Sequence, residues 1–329
     1  MSRINKITVT VASVFAVFVL LSFGAGWFML DYALKPAADA RDMGLRYRRM
    51  YGEYPYMRHW VDSLNNAKAL RDTFIVMPGG CRHHAVYARG RDAHGRTAIL
   101  VHGYKDSYVG MLPLAKIYAD MGYNIMLPDL HAHGLSDGGE IQMGWKDRED
   151  VIRWIGVADS LFADSHGRTR IVLHGVSMGA ATVMNVSGES LPSSVRCFVE
   201  DCGYTSVWDE FSHQLADQFG LPSFPVLYAA SVLCKLRYGW TFGQAAPVRQ
   251  LAKNETPMLY IHGSSDGYVP SEMVFPLYNA NPVYLSPDGK YRHFNDIWIT
   301  PGCIHAKSFH SYPRQYTERV RRFVGRFVR

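Results

Sequence analysis

The 329-residue chain is sparing with cysteine, holding five, an odd number, scattered at Cys81, Cys197, Cys202, Cys234 and Cys303. No CxxC pair occurs, so neither a zinc ribbon nor a dithiol redox motif can be built from them. One disulfide stays open, and spacing alone does not pair it. Internal repeats are absent, which removes solenoids and propellers. No stretch is dominated by Pro, Ser or Gln, which removes compositional disorder over most of the length. Charge is scarce as well, at 19% of residues against 48% hydrophobic. That is enough apolar material for one substantial core. Basic residues are not interleaved with aromatics, so the net charge of +6 does not point to nucleic acid. It fits either an ordinary basic protein or one lying beside an anionic membrane surface.

The longest absence is of charge between Ile7 and Leu30. This run is rich in Val, Phe, Leu and Ala, and Arg3 and Lys6 stand just before it. At about 1.5 Å per residue it can cross a hydrocarbon layer of roughly 30 Å. Gly24-Ala25-Gly26 offers a small-residue cleavage site, but the apolar run continues through Trp27-Phe28-Met29-Leu30. A membrane anchor is therefore expected, with a cleaved signal or a buried core helix as alternatives. Lys35, Arg41, Arg46, Arg48 and Arg49 follow the span and oppose the vote of Arg3 and Lys6. Because a large domain after a first span is commonly exported, the remainder is expected outside the cytoplasm.

Past this run, residues 31–72 read as a partly amphipathic helical connector, with Trp60, Leu64, Ala67 and Leu70 at near-helical spacing. Residues 73–329 then change character. Two short β-like runs, Thr73–Met77 and Ala85–Ala88, flank Pro78-Gly79-Gly80 as a hairpin. Apolar strands alternate with helical stretches thereafter: Ala98–Val101, Asn124–Leu127, Arg170–Leu173, Val195–Val199, Met258–Ile261 and Ile297–Ile299. Alternation of this kind implies an α/β fold, a mostly parallel sheet with helices on both faces. It stops over about 204–250, where Trp208, Phe211, Phe219, Phe224, Tyr228, Trp240 and Phe242 gather around Pro222 and Pro225. That segment reads as an inserted helical cap.

The sharpest motif is His174-Gly175-Val176-Ser177-Met178-Gly179, a G-x-S-x-G between an apolar strand and a helix of small residues. A nucleophile elbow needs that context, since flanking glycines let strand and helix approach, and free N–H groups at the helix start favour a developing oxyanion. Ser177 is thus the expected nucleophile. A serine hydroxyl needs a base, and the base an orienting acid. In the order serine, acid, histidine, Asp266 lies in the Gly-rich loop His262–Pro270 just past a strand, with Asp201 as its rival. His305 follows the last strand through Pro301-Gly302, whereas His293 and His310 follow no such loop. Backbone N–H groups of Met178 and Tyr104 are expected to form the oxyanion hole.

Taken together, the segments HGY (102–104), PDLHAHGLSDGG (128–139), HGVSMG (174–179), EDCGYTS (200–206), HGSSDGYVP (262–270) and PGCIH (301–305) carry a resemblance. The chain resembles the bacterial α/β hydrolases of the membrane-anchored esterase and serine-aminopeptidase-like group over about Phe74 to Val328. The resemblance implies an α/β-hydrolase fold with a cap, a Ser-His-Asp triad, and neither metal nor organic cofactor. One departure is His131-Ala132, where such loops more often read Arg-Gly before His-Gly; His133 in that loop is expected to be structural.

Metal binding is not expected from the residues either. His83-His84 and His131-x-His133 look suggestive, but neighbours on a strand point to opposite faces, and no carboxylate–histidine set stands at a recognised spacing. The expected partner is a small ester or acyl substrate, with the aromatic cap favouring an apolar acyl or aryl group. Thioesterase, acyltransferase and peptidase chemistry share the same triad, the last with Glu200, Asp209 or Glu210 as amine-holding acids. A non-catalytic, membrane-tethered binding module is the remaining reading. Oligomeric state is not legible.

Overall fold

The computed structural model describes residues 3–282, 284–285, 291–292 and 295–329. His293, weighed above against His305, lies outside them. The strands are β1 (Arg71–Val76), β2 (Arg82–Ala88), β3 (Arg96–Val101), β4 (Asn124–Pro128), β5 (Arg170–Val176), β6 (Val195–Asp201), β7 (Met258–Gly263), β8 (Tyr284–Leu285), β9 (Tyr291–Arg292) and β10 (Asp296–Thr300). The helices are α1 (Arg3–Leu34), α2 (Met43–Glu53), α3 (Met57–Asn66), α4 (Tyr108–Asp120), α5 (Asp147–Phe162), α6 (Met178–Ser187), α7 (Val207–Phe219), α8 (Val226–Tyr238), α9 (Pro247–Leu251), α10 (Val274–Ala280), α11 (Ser308–Ser311) and α12 (Pro313–Phe327).

Chain contacts divide the molecule into two units, residues 36–206 with 246–329, and residues 1–35 with 207–245. In the larger unit eight of the ten described strands form one sheet in the order β1-β2-β4-β3-β5-β6-β7-β10, and β8 and β9 pair antiparallel in a second. The β1–β2 and β2–β4 pairs are antiparallel, and the pairs from β4 to β10 are parallel. The expected hairpin and mostly parallel sheet are both present. Strands β4 and β7 are buried at every residue, as a sheet covered on both faces requires.

Local sequence explains the covering helices. Ser107 caps α4, its Oγ accepting from the Val109 N–H. Pro313 opens α12, where its missing N–H costs nothing. That helix buries Tyr316, Val320, Phe323 and Val324, the i, i+4, i+7, i+8 stripe of an amphipathic helix. Because β5 sits between β3 and β6, the loops after β3, β5, β6 and β7 open at one edge of the sheet. Ligands gather at that edge in open α/β sheets.

The smaller unit pairs α1 with α7 and α8. A Cβ on Gly26 would stand 2.8 Å from the Ala230 backbone nitrogen, so only glycine admits so close a helix crossing. Phe18 meets Phe224 at 6.3 Å between ring centroids, and Tyr32 meets Phe219 at 5.6 Å. Arg237 pairs with Asp31 at 2.5 Å.

A polar thread runs through the core of the larger unit. The Tyr316 hydroxyl donates to Asp201 Oδ2 at 2.9 Å, so it accepts from His174 Nε2 at 3.0 Å. His174 Nδ1 then accepts from the Tyr118 hydroxyl at 3.0 Å. Burial holds His174 neutral, with its pKa pushed down to about 3, which that tautomer needs. Removing one hydroxyl strands two buried groups. Tyr316→Phe is therefore expected to lower unfolding free energy by about 1–3 kcal/mol, measured by urea denaturation; an unchanged midpoint would show that the thread carries no stability.

Candidate active site

Ser177 occupies the junction of β5 and α6 at φ 56° and ψ −119°, a strained conformation for a residue with a side chain. Its flanks make that position reachable. A Cβ on Gly175 would run into the Gly179 carbonyl, and one on Gly179 into the Val101 carbonyl. The Ser177 backbone N–H donates to the Asp201 carbonyl at 2.8 Å, which ties the elbow to the end of β6. Its Oγ is left to face the site.

There Ser177 Oγ donates to His305 Nε2 at 2.8 Å, and His305 Nδ1 donates to Asp266 Oδ2 at 2.7 Å. Asp266 Oδ1 accepts the N–H groups of Tyr268 and Val269, each at 3.0 Å. Burial opposes the charge on Asp266, yet hydrogen bonds from His262 and His305 outweigh it and hold the carboxyl down at about 2. Asp266 is thus ionised across the neutral range, and its fixed carboxylate behind Nδ1 orients the His305 ring.

The structure brings together three of the five sequence-chosen residues by direct hydrogen bonds. Tyr104 lines the same cavity as Ser177 and His305, and Met178 begins α6, whose first N–H groups have no partner within the helix. The loop bearing Tyr104 is pinned from behind. The Lys105 N–H donates to His133 Nε2 at 3.1 Å, and His133 Nδ1 donates to the His131 carbonyl at 2.7 Å. His133 is structural, as expected. Asp201 is engaged by Tyr316 and the elbow, and His310 faces Glu53 at 3.6 Å; neither joins the Ser177–His305 pair.

The cavity beside Ser177 holds about 460 Å³. Met50, Met111, Pro113, Leu114, Val176 and Phe309 give it apolar walls, and Arg46, Arg49, Glu53, Asp106 and Lys307 add charge. Sequence reading missed α2 as a wall, because its amphipathic pattern says that it packs without saying on what. It also missed Tyr268, whose ring lies 5.0 Å from that of His305, although its place two residues after Asp266 was a usable signal. Cys202, at φ 54°, was passed over too. Its sulfur, a His305 ring nitrogen and an Asp266 oxygen lie within 4.8 Å of one another.

The chain is similar to known proteins over much of its length. The family described as "Serine aminopeptidase, S33" matches residues 92–216. The uncharacterised protein YqkD of Bacillus subtilis (strain 168) is 27% identical over 228 residues, covering 69% of this chain and 70% of its own. Among solved structures, the esterase Pf2001 of Pyrococcus furiosus superposes with a TM-score of 0.61 at 19% identity, covering 79% of this chain and 93% of its own. The acylaminoacyl peptidase of Pyrococcus horikoshii superposes with a TM-score of 0.54 at 17% identity, covering 78% of this chain and 40% of its own. These likenesses show the α/β-hydrolase fold.

A second acid stands near the end of β6. Glu200 is fully buried, accepts the Gly203 N–H at 3.0 Å, and is pushed up to about 8 by burial. A carboxyl raised in the folded state stabilises the protein fully below its unfolded pKa, near 4.5. That contribution is lost as pH rises through about 8. Glu200→Gln keeps the shape and cannot ionise. Its stability relative to the parent is expected to climb by roughly 2 kcal/mol between pH 5 and pH 8, measured by thermal melts across that range; parallel melting curves would contradict the assignment.

Proposed function

We propose that the chain is a serine hydrolase that cleaves carboxylic esters through a covalent acyl-enzyme, with Ser177 as nucleophile, His305 as base and Asp266 as orienting acid. The hydrogen-bonded line from Ser177 Oγ through His305 to Asp266 carries this reading. His305 Nε2 takes the Ser177 proton as Oγ bonds to the acyl carbon, and the carbonyl electrons move onto oxygen. Backbone N–H groups of Tyr104 and Met178 hold that oxyanion. Collapse breaks the bond to the alkoxide, which leaves with the proton from His305. Water, deprotonated by His305, then attacks the acyl carbon and releases the acid and Ser177.

The apolar walls of the cavity suit an acyl or aryl group of moderate size. Peptidase, thioesterase and acyltransferase chemistry remain open to the same triad. An aminopeptidase would need a carboxylate free to hold an amine. In the cavity Glu53 is paired with Lys307 at 2.5 Å and Asp106 stands 3.6 Å from Arg46, while Glu200 is buried against Gly203. That pairing favours an ester. No organic cofactor or nucleic acid enters this scheme.

The apolar helix segment Ile7–Leu34 contains an 18-residue stretch of mean hydropathy 2.3, which suits an anchor or a signal sequence by length and composition. Its fitted crossing with α8 at Gly26 supports retention, since a cleaved signal has no use for a glycine contact with the mature chain. We read it as a retained anchor, with the hydrolase domain outside the cytoplasm.

Two measurements test these readings. Residues 37–329 and the Ser177→Ala variant are to be assayed for release of p-nitrophenol from acyl esters of graded length. Turnover in the parent and a loss of at least about 10³-fold in Ser177→Ala are expected; folded protein inert toward every ester, with thioester or peptide turnover instead, would move the reading to those bonds. Full-length protein should remain in the membrane fraction with its N-terminus intact by mass spectrometry, and a mature N-terminus near Gly26 would establish a cleaved signal.

A further inference from the structure

The larger unit holds a second cluster of metal-ligating side chains that the hydrolase chemistry does not use. It assembles from three separated segments: His83 on β2, His131 and Glu140 in the stretch between β4 and α5, and Asp150 in α5. His83 Nε2 stands 3.1 Å from His131 Nδ1, and His83 Nδ1 stands 3.1 Å from Asp150 Oδ2. His83 is 1% exposed. Its Nδ1 and the facing Asp150 Oδ2 are both buried and, despite their proximity, are not aligned as a hydrogen bond. On the far side of its ring, His131 Nε2 faces Glu140 Oε2 at 3.8 Å. Asp147, fully buried nearby, contributes a third carboxylate, one oxygen of which accepts only the Gly144 N–H while the other has no hydrogen-bond partner.

We propose that His83, His131 and Asp150 form a binding site for a zinc-class divalent cation. One ring nitrogen from each histidine and one oxygen of Asp150 lie within 4.8 Å of one another. Ligands about 2.0–2.1 Å from a tetrahedral zinc stand roughly 3.4 Å apart, so small side-chain rotations bring the three donors onto one ion. Two imidazoles with a carboxylate suit zinc over magnesium or calcium, which take oxygen ligands. Glu140 behind His131 Nε2 supplies the carboxylate–histidine pairing that orients a metal-bound imidazole. A fourth position is left for water. An unpaired hydrogen-bonded cluster explains the His83–His131 contact but leaves His83 Nδ1 and Asp150 Oδ2 opposed without a proton between them in line.

The site's place in the fold gives it a structural purpose. It staples β2 and α5 to the loop whose His133 receives the Lys105 N–H, and Lys105 follows Tyr104. The ion would therefore stiffen that loop without touching the ester. Spacing along the chain could not show this set, because its members are 48 and 19 residues apart. His131→Arg removes one of the three donors and places a cation where the ion would sit.

The test uses full-length protein in detergent, stripped with EDTA and then given zinc sulfate. Elemental analysis after dialysis should find one zinc per chain, and thermal melts should rise by a few °C with zinc. His131→Arg and, separately, Asp150→Asn should each lose the retained zinc and the zinc-dependent rise. Circular dichroism establishes that each variant is folded, and two independent variants guard against the misfolding of either. No retained zinc in the parent, or undiminished zinc in both folded variants, would overturn the proposal. Neither result depends on whether the protein cleaves esters.

Discussion

The rest of the site depends on how closely β5 approaches α6. Ser177 can sit at φ 56° only because glycines on either side let backbone meet backbone, Gly175 against Gly179 and Gly179 against Val101. That strain of about 1–3 kcal/mol is held by surroundings that leave no room to relax. Every residue of α6 is buried, and the elbow N–H is bonded to the end of β6. A hydroxyl on such a turn stands clear of its own chain and reaches the His305 imidazole, supplied by a loop 128 residues away.

Buried polar groups help position the loops around the elbow. Asp129, fully buried, accepts the N–H groups of Tyr108 and Leu135 at 2.8 and 2.9 Å and faces His84 Nδ1 at 2.8 Å. His102 Nε2 accepts the Leu130 N–H at 3.0 Å. Together with His133 these groups lock the loop after β3 to the loop after β4. In the proposed reaction, backbone amides aimed at a developing oxyanion would gain their effect from such prior fixing, since they then need no reorganisation. The same economy explains the tyrosine–histidine thread, which joins α4, β5, α12 and the end of β6 beneath the elbow.

Ser177, Asp266 and His305 were legible in the sequence because each follows an apolar strand through a glycine-bearing turn, a local pattern that fixes both position and exposure. The parallel sheet was legible from strand–helix alternation. What lay beyond reading was set by contacts distant in the chain. Nothing in residues 43–53 says that Arg46 and Met50 would line the cavity. His83 and His84 do point apart, as strand neighbours must, His84 toward Asp129 and Asp72. That rule could not place Asp150 opposite His83, since helix α5 reaches it only through the sheet topology. Likewise Gly26 read as part of a small-residue cleavage site, and its role in a helix crossing needed Ala230, 204 residues onward.

The central claim is that Ser177 is an activated nucleophile. Full-length protein treated with a fluorophosphonate, then digested and analysed by mass spectrometry, tests it without knowledge of the natural ester. The account predicts a phosphonyl adduct on Ser177 and no labelling after His305→Ala. A folded parent that stays unlabelled, or an adduct placed on another serine, would contradict it.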